Sequence, residues 1–220
     1  MRLPAARPAA ERAARPINDS LIDYLGKLPK HASQYELLAA ACGDPGNATF
    51  YMWLEMLQQC GLPQAPLRVV EAGKPCRAAL ERMRGVDVFV EAGADLLLCD
   101  AGAEETLAAL RRLRAGGTAL VLVPDLSERA AVQMAYLMTA LFGKVAVYAP
   151  TLFACNQKFL VGGDYKGGSA KLYDFSMSLF FLVRLEEINT VVGQAQMDFM
   201  RADLKMETFS DWRAAYFNLL

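Results

Sequence analysis

Between Leu67 and Tyr165, short apolar runs of strand length alternate with stretches of helical periodicity, and this alternation limits the fold more than any other feature of the chain. LRVVEAG (67–73) is a brief β-branched run closed by a glycine, which predicts a buried strand. A helix over 75–84 leads to VDVFV and then ADLLLCD, two further strands. ETLAALRRLRAG predicts an amphipathic helix, basic at its C-terminus and stopped by a glycine. TALVLV is the next strand, 128–142 a helix, and KVAVYAP and KFLVGGDY the last strands. Strands separated by helices of about ten to fifteen residues predict a doubly wound, mostly parallel sheet with helices on both faces and right-handed crossovers. The final two strands lie too close in sequence for a helix between them, so they are expected to pair antiparallel.

Upstream, TFYMWLEMLQQC carries apolar residues at helical spacing, and 17–28 and 34–41 also read as helical. The arm before them, MRLPAARPAAERAARP, has four arginines, one acid and three prolines that forbid a continuous helix. A disordered tail, an RNA-contacting arm and an organellar presequence all suit that composition. From Ala170 onward, YDFSMSLFFLVRLEEIN and DWRAAYFNLL predict helices. The chain thus divides into a flexible basic arm (1–16), an α/β domain (17–168) and a helical C-terminal extension (169–220).

With 220 residues and 54% apolar side chains, the protein can bury a full core. A net charge of −1 argues against binding nucleic acid through bulk electrostatics and leaves room for a local basic groove. The five cysteines are scattered singly beside one histidine, a pattern of buried reduced thiols in an intracellular protein rather than a metal site. The compartment stays open between cytoplasmic, viral and mitochondrial. No apolar run approaches the roughly 20 residues of a membrane span.

Four motifs bear on chemistry. CGDPGNATF is a turn-rich loop before a helix, in which Gly43 and Gly46 permit close backbone approach and Pro45 fixes the turn. ADLLLCDAG places Asp100 at the carboxyl end of a central strand, with Gly102 in the following turn. GGTALVLVPDL and the ACNQKFLV segment complete the set. Together they resemble FtsJ-like and cap RNA 2′-O-methyltransferases over about three fifths of the chain, roughly 34–167.

The resemblance implies a Rossmann-like seven-stranded methyltransferase sheet and S-adenosylmethionine as cofactor. Its methionine moiety would lie on the Gly43–Pro45–Gly46 loop, its ribose by Glu71 and its adenine by Asp87. It also implies a Lys-Asp-Lys-Glu tetrad in which a lysine removes the ribose proton and its neighbours tune that base. Asp100 fits the acid. The central lysine is replaced by Leu122 and the glutamate by Gln157, while Lys27 and Lys30 are the candidates for the first lysine. Asn47 stands where the family has a second glycine. Leucine moves no proton, and glutamine keeps the shape of glutamate without its charge.

The expected function is that of a catalytically inactive methyltransferase-like protein. It would bind RNA or a protein partner as a scaffold or stimulatory subunit in RNA processing, capping or ribosome assembly. The rival is an active, divergent RNA 2′-O-methyltransferase that recruits a lysine such as Lys27 or Lys158 to Asp100. A third reading, a methyltransferase that relies on proximity and orientation alone, needs no lysine. Lys144, Lys158 and Lys166, close in sequence around the last strands, are the candidate RNA-facing cations. No metal is expected.

Overall fold

The computed structural model describes residues 48–60, 67–74, 77–84, 93–124, 126, 128–150, 157–168 and 177–203. Gly43, Pro45, Gly46, Asp87, Lys27, Lys30, the basic arm and the VDVFV run lie outside these residues.

Ten elements follow one another: α1 (Ala48–Gln59), β1 (Val69–Gly73), α2 (Arg77–Arg84), β2 (Ala94–Asp100), α3 (Ala103–Leu110), β3 (Leu113–Val123), α4 (Arg129–Leu141), β4 (Phe142–Tyr148), β5 (Lys158–Tyr165) and α5 (Leu179–Asp203). The strands form one sheet in the order β1-β2-β3-β5-β4. Pairing is parallel across β1, β2 and β3, whereas β5 runs antiparallel to both β3 and β4. The architecture is therefore mixed α/β with five strands among the described residues, where the family resemblance implied seven. The expected antiparallel final pair is present, and β5 is inserted between β3 and β4.

Strand alternation divides the apolar side chains between two cores. Val69, Leu96, Leu98, Leu120, Leu122 and Phe159 pack beneath α1 and α2, together with Trp53, Met56, Leu57 and Leu80. Val70, Leu97, Cys99, Val121, Val123 and Leu160 pack on the other face against α3 and α4. Leu182 and Leu185 of α5 join this second core, so the first turns of the C-terminal helical extension pack directly on the α/β domain.

One expected boundary is wrong. The helix predicted through Gly116 ends at Leu110, and Leu113 already begins β3. The register explains the difference: Ala94 pairs with Leu113, but Leu96 pairs with Thr118, so β3 bulges outward over the intervening residues. Gly116, with a φ of 78°, makes the bulge. Asp95, only 13% exposed, accepts a 2.8 Å hydrogen bond from the Arg68 amide and pairs with the Arg68 and Arg114 side chains. Burial alone would raise its pKa; the Arg68 amide and the two guanidinium groups outweigh that and hold it below the usual carboxylate value. Arg114, which reads as part of a helix end, instead clamps the bulge to Asp95.

Candidate functional site

In an open α/β sheet a ligand crevice forms at the carboxyl edge where adjacent parallel strands send their following helices to opposite faces. That condition is met between β1 and β2. Ala79 and Leu80 of α2, which follows β1, belong to the core under α1. Ala109 and Leu110 of α3, which follows β2, belong to the opposite core. The last residues of the two strands, Gly73 and Asp100, are register partners.

The two chains pass very close there. Gly73 has a φ of 75°, and a Cβ built on it would stand 1.8 Å from the Asp100 carbonyl oxygen. The Gly73 amide donates a 3.1 Å hydrogen bond to Glu105 Oε1 in the first turn of α3. Glu71 lies two residues earlier on the α2 face. Both of its carboxylate oxygens are taken by Arg77, Nε at 3.0 Å and Nη2 at 2.8 Å. The ribose-binding acid suggested by the family resemblance is thus held in a bidentate ion pair with the helix that follows it.

From Asp100 the same row runs across the sheet. Cys99 pairs with Val121, which puts Asp100 beside Leu122; Leu122 pairs with Phe159, and Phe159 with Tyr148. By alternation these side chains point to the α1–α2 face. Leu122 is 6% exposed and Phe159 fully buried. Trp53 of α1 closes over the row, its ring edge-on to Phe159 with centroids 4.8 Å apart and planes at 84°. The Trp53 indole N–H is buried without a hydrogen-bond partner among the described residues. Gln157 immediately precedes β5 at this edge and is half-buried.

Asp100, Leu122 and Gln157 therefore stand at one edge of the sheet. Lys158 reaches that edge too, but it pairs with Val123 and by alternation belongs to the opposite face from Asp100. The three candidate RNA-facing lysines do not line one surface. Lys144 pairs with Gly163, and Lys166 follows the end of β5, so both sit at the opposite edge. Eight residues of strand separate Lys158 from Lys166, about 26 Å at 3.3 Å per residue. Lys144 and Lys166 are exposed; Lys158 is buried.

Asp100 has no hydrogen bond or ion pair to its carboxylate among the described residues, and burial pushes its pKa above the ordinary aspartate value. A carboxyl with a raised folded-state pKa contributes stability below its unfolded pKa and loses it as pH rises through the folded value. Asp100→Asn is accordingly expected to raise the urea midpoint at pH 7. The gain should shrink as pH falls below the ordinary carboxylate range, where both proteins present a neutral group. A midpoint lowered at pH 7 would reveal a cationic partner for Asp100.

Sequence reasoning missed Gly73, Phe159, Trp53 and Glu105. Gly73 carries a signal, a glycine ending an apolar strand run just before a Lys-Pro step, but the same pattern marks any simple strand stop. Among the described residues no three His, Cys, Asp or Glu side chains gather as a metal ion would need. Burial raises the thiol of Cys99 and pushes that of Cys60 up to about 11, so neither is poised as a nucleophile.

The fold is a doubly wound α/β domain whose β1 and β2 strand ends pack closely at the carboxyl edge. No protein-family model and no curated protein matches the chain. Among solved structures it is similar to a protein described as a ribosomal RNA methyltransferase from Plasmodium falciparum, at 12% identity and a TM-score of 0.42. That match covers 56% of this chain and 99% of the other. Among the described residues no helix is long and apolar enough to cross a membrane.

Proposed function

We propose that this protein is an RNA 2′-O-methyltransferase-like pseudoenzyme, a scaffold or stimulatory subunit that binds RNA or a protein partner in an RNA-processing, capping or ribosome-assembly complex. The observation that carries the reading is the setting of Asp100. Its neighbours in the row are Leu122 and Phe159, roofed by Trp53, where proton transfer from a ribose hydroxyl needs a base and charges that tune it. Removing a general base alone typically costs 10²–10⁴-fold in rate. Lys158, the buried lysine at this edge, is directed to the other face by the pleat.

The crevice fits S-adenosylmethionine only in part. The tight backbone turn at Gly73 suits close approach to a ligand, but Arg77 holds the Glu71 carboxylate and Glu105 holds the Gly73 amide. The Gly43–Pro45–Gly46 loop and Asp87 would have to supply the remaining contacts.

The test combines calorimetric titration of the full chain with S-adenosylmethionine and S-adenosylhomocysteine with methyl-transfer assays on capped and uncapped RNA. The expected result is no methyl transfer to either RNA, with or without measurable cofactor binding. Transfer above background that disappears in Asp100→Asn would overturn the pseudoenzyme reading. Micromolar cofactor binding abolished by Gly46→Arg would mean that the ligand is retained although the chemistry is lost.

A further inference from the structure

Helix α5 buries one side and leaves the other bare. Leu182 and Leu185 are 3% exposed in the core, and Phe181 packs edge-on against Tyr136 of α4 with ring centroids 4.8 Å apart. On the far side Leu179 is 73% exposed, Phe180 77%, Val183 44%, Ile188 37% and Val191 69%. Among the described residues the exposed large apolar side chains all belong to this helix. Two charges lie within the stripe, Arg184 and Glu187, ion-paired to each other at 2.6 Å. At 100° per residue, positions 180, 183, 184, 187, 188 and 191 project within roughly 70° of a single direction.

The order along this stripe identifies the occupant. It has the same character read from either end: Phe180, Val183, Arg184, then Glu187, Ile188, Val191. A two-fold axis passing between Leu185 and Glu186 would set a second copy of the helix antiparallel on the first. Phe180 then falls on Val191, Val183 on Ile188 and Arg184 on Glu187, and the axis repeats the three pairs in reverse. Every apolar side chain meets an apolar one and every charge meets its opposite. We infer that the exposed face of α5 is the interface of an antiparallel isologous dimer, and that its occupant is a second copy of this chain.

The chemistry of the patch favours that partner over nucleic acid. The two charges cancel, so the stripe offers no field to attract phosphates. Its affinity comes from removing apolar surface from water, while the Arg184–Glu187 contacts set direction and register. Beside the stripe a cavity of about 360 Å³ opens between α4, β4 and α5, lined in part by Tyr136, Val145, Val147 and Ile188. It gives the partner's side chains room to insert. A single helix pair falls at the small end of specific interfaces, at most about 1,200 Å². The dimer is therefore sought in the micromolar range.

The test is sedimentation velocity on the full chain from roughly 1 to 200 µM. The unaltered protein is expected to pass from monomer to dimer within that range. Arg184→Glu sets glutamate against glutamate across the axis, and Glu187→Arg sets arginine against arginine. Each alone should weaken the dimer at least tenfold while leaving unchanged the circular dichroism spectrum and the melting temperature read at about 1 µM, where the parent is monomeric. An equimolar mixture of the two variants should dimerise again, because every glutamate then meets an arginine, and so should the double charge swap. A monomer at all concentrations would overturn the inference, leaving the face to another segment of the chain or to a different partner. Single variants that dimerise as tightly as the parent, or a mixture that does not recover, would equally overturn it.

Discussion

Gly73→Ala is expected to lower the unfolding free energy by more than about 3 kcal/mol, or to prevent folding outright. Two costs combine. At a φ of 75° an L-residue is strained by roughly 1–2 kcal/mol. The larger cost is steric, because the new methyl group would stand 1.8 Å from the Asp100 carbonyl oxygen and 2.4 Å from its carbon. Those are backbone atoms of β2, held in the sheet by their own ladder, and they cannot rotate away as a side-chain tip would. The carboxyl ends of β1 and β2 would have to part. Gly163→Ala is the control, since its Cβ would meet nothing within 4 Å and its φ is ordinary. It should leave the unfolding free energy unchanged or raise it by up to about 1 kcal/mol. With a urea slope of about 1–3 kcal/mol/M, the Gly73 variant should shift the midpoint by a molar or more. Equal midpoints for the two variants would mean that β1 and β2 do not meet as closely as described.

Phe159→Ala is the second large effect, with an expected loss of about 3–5 kcal/mol. The ring is fully buried at the centre of the row that links Leu122 to Tyr148, and Trp53 rests edge-on against it. Removing it deletes a buried side chain, leaves a cavity and forfeits an aromatic contact of about 0.5–1.5 kcal/mol. Phe159→Leu keeps most of the volume and should cost less than half as much. If the alanine variant retained its midpoint, the row would not be packed, and the space beside Asp100 would be open to a substrate. Urea unfolding of both variants thus bears on the proposed loss of chemistry as well as on stability.

The layered α/β plan was legible because strands covered on both faces read as near-continuous apolar runs, and 67–73, 94–100 and 118–123 are such runs. The antiparallel end was legible from the shortness of its connection. What could not be read was tertiary. Arg111 to Gly116 has good helical patterning, but Asp95, 19 residues before Arg114, draws that segment into a bulge. Lys144, Lys158 and Lys166 are neighbours in sequence, yet a strand carries its two ends to opposite edges of the sheet. At the site, the motifs located Asp100, Leu122 and Gln157 at one edge. They gave no sign that Phe159 and Trp53 fill the intervening space, because an aromatic side chain in a strand or a helix is unremarkable until its neighbours are known.

The place of β5 between β3 and β4 has a consequence for synthesis on the ribosome. β3 is complete once residue 123 has emerged, but among the described residues its outer edge has no neighbour until 158–165 arrive. α4 and β4 emerge in the interval, and among the described residues β4 pairs only with the strand still to come. A nascent chain that pauses in this stretch holds out two unpaired edges at once, and such edges recruit other strands. Chaperones that hold nascent chains would therefore be needed most over these forty or so codons, and a chain terminated before Lys158 would be recovered as aggregate rather than as a smaller domain.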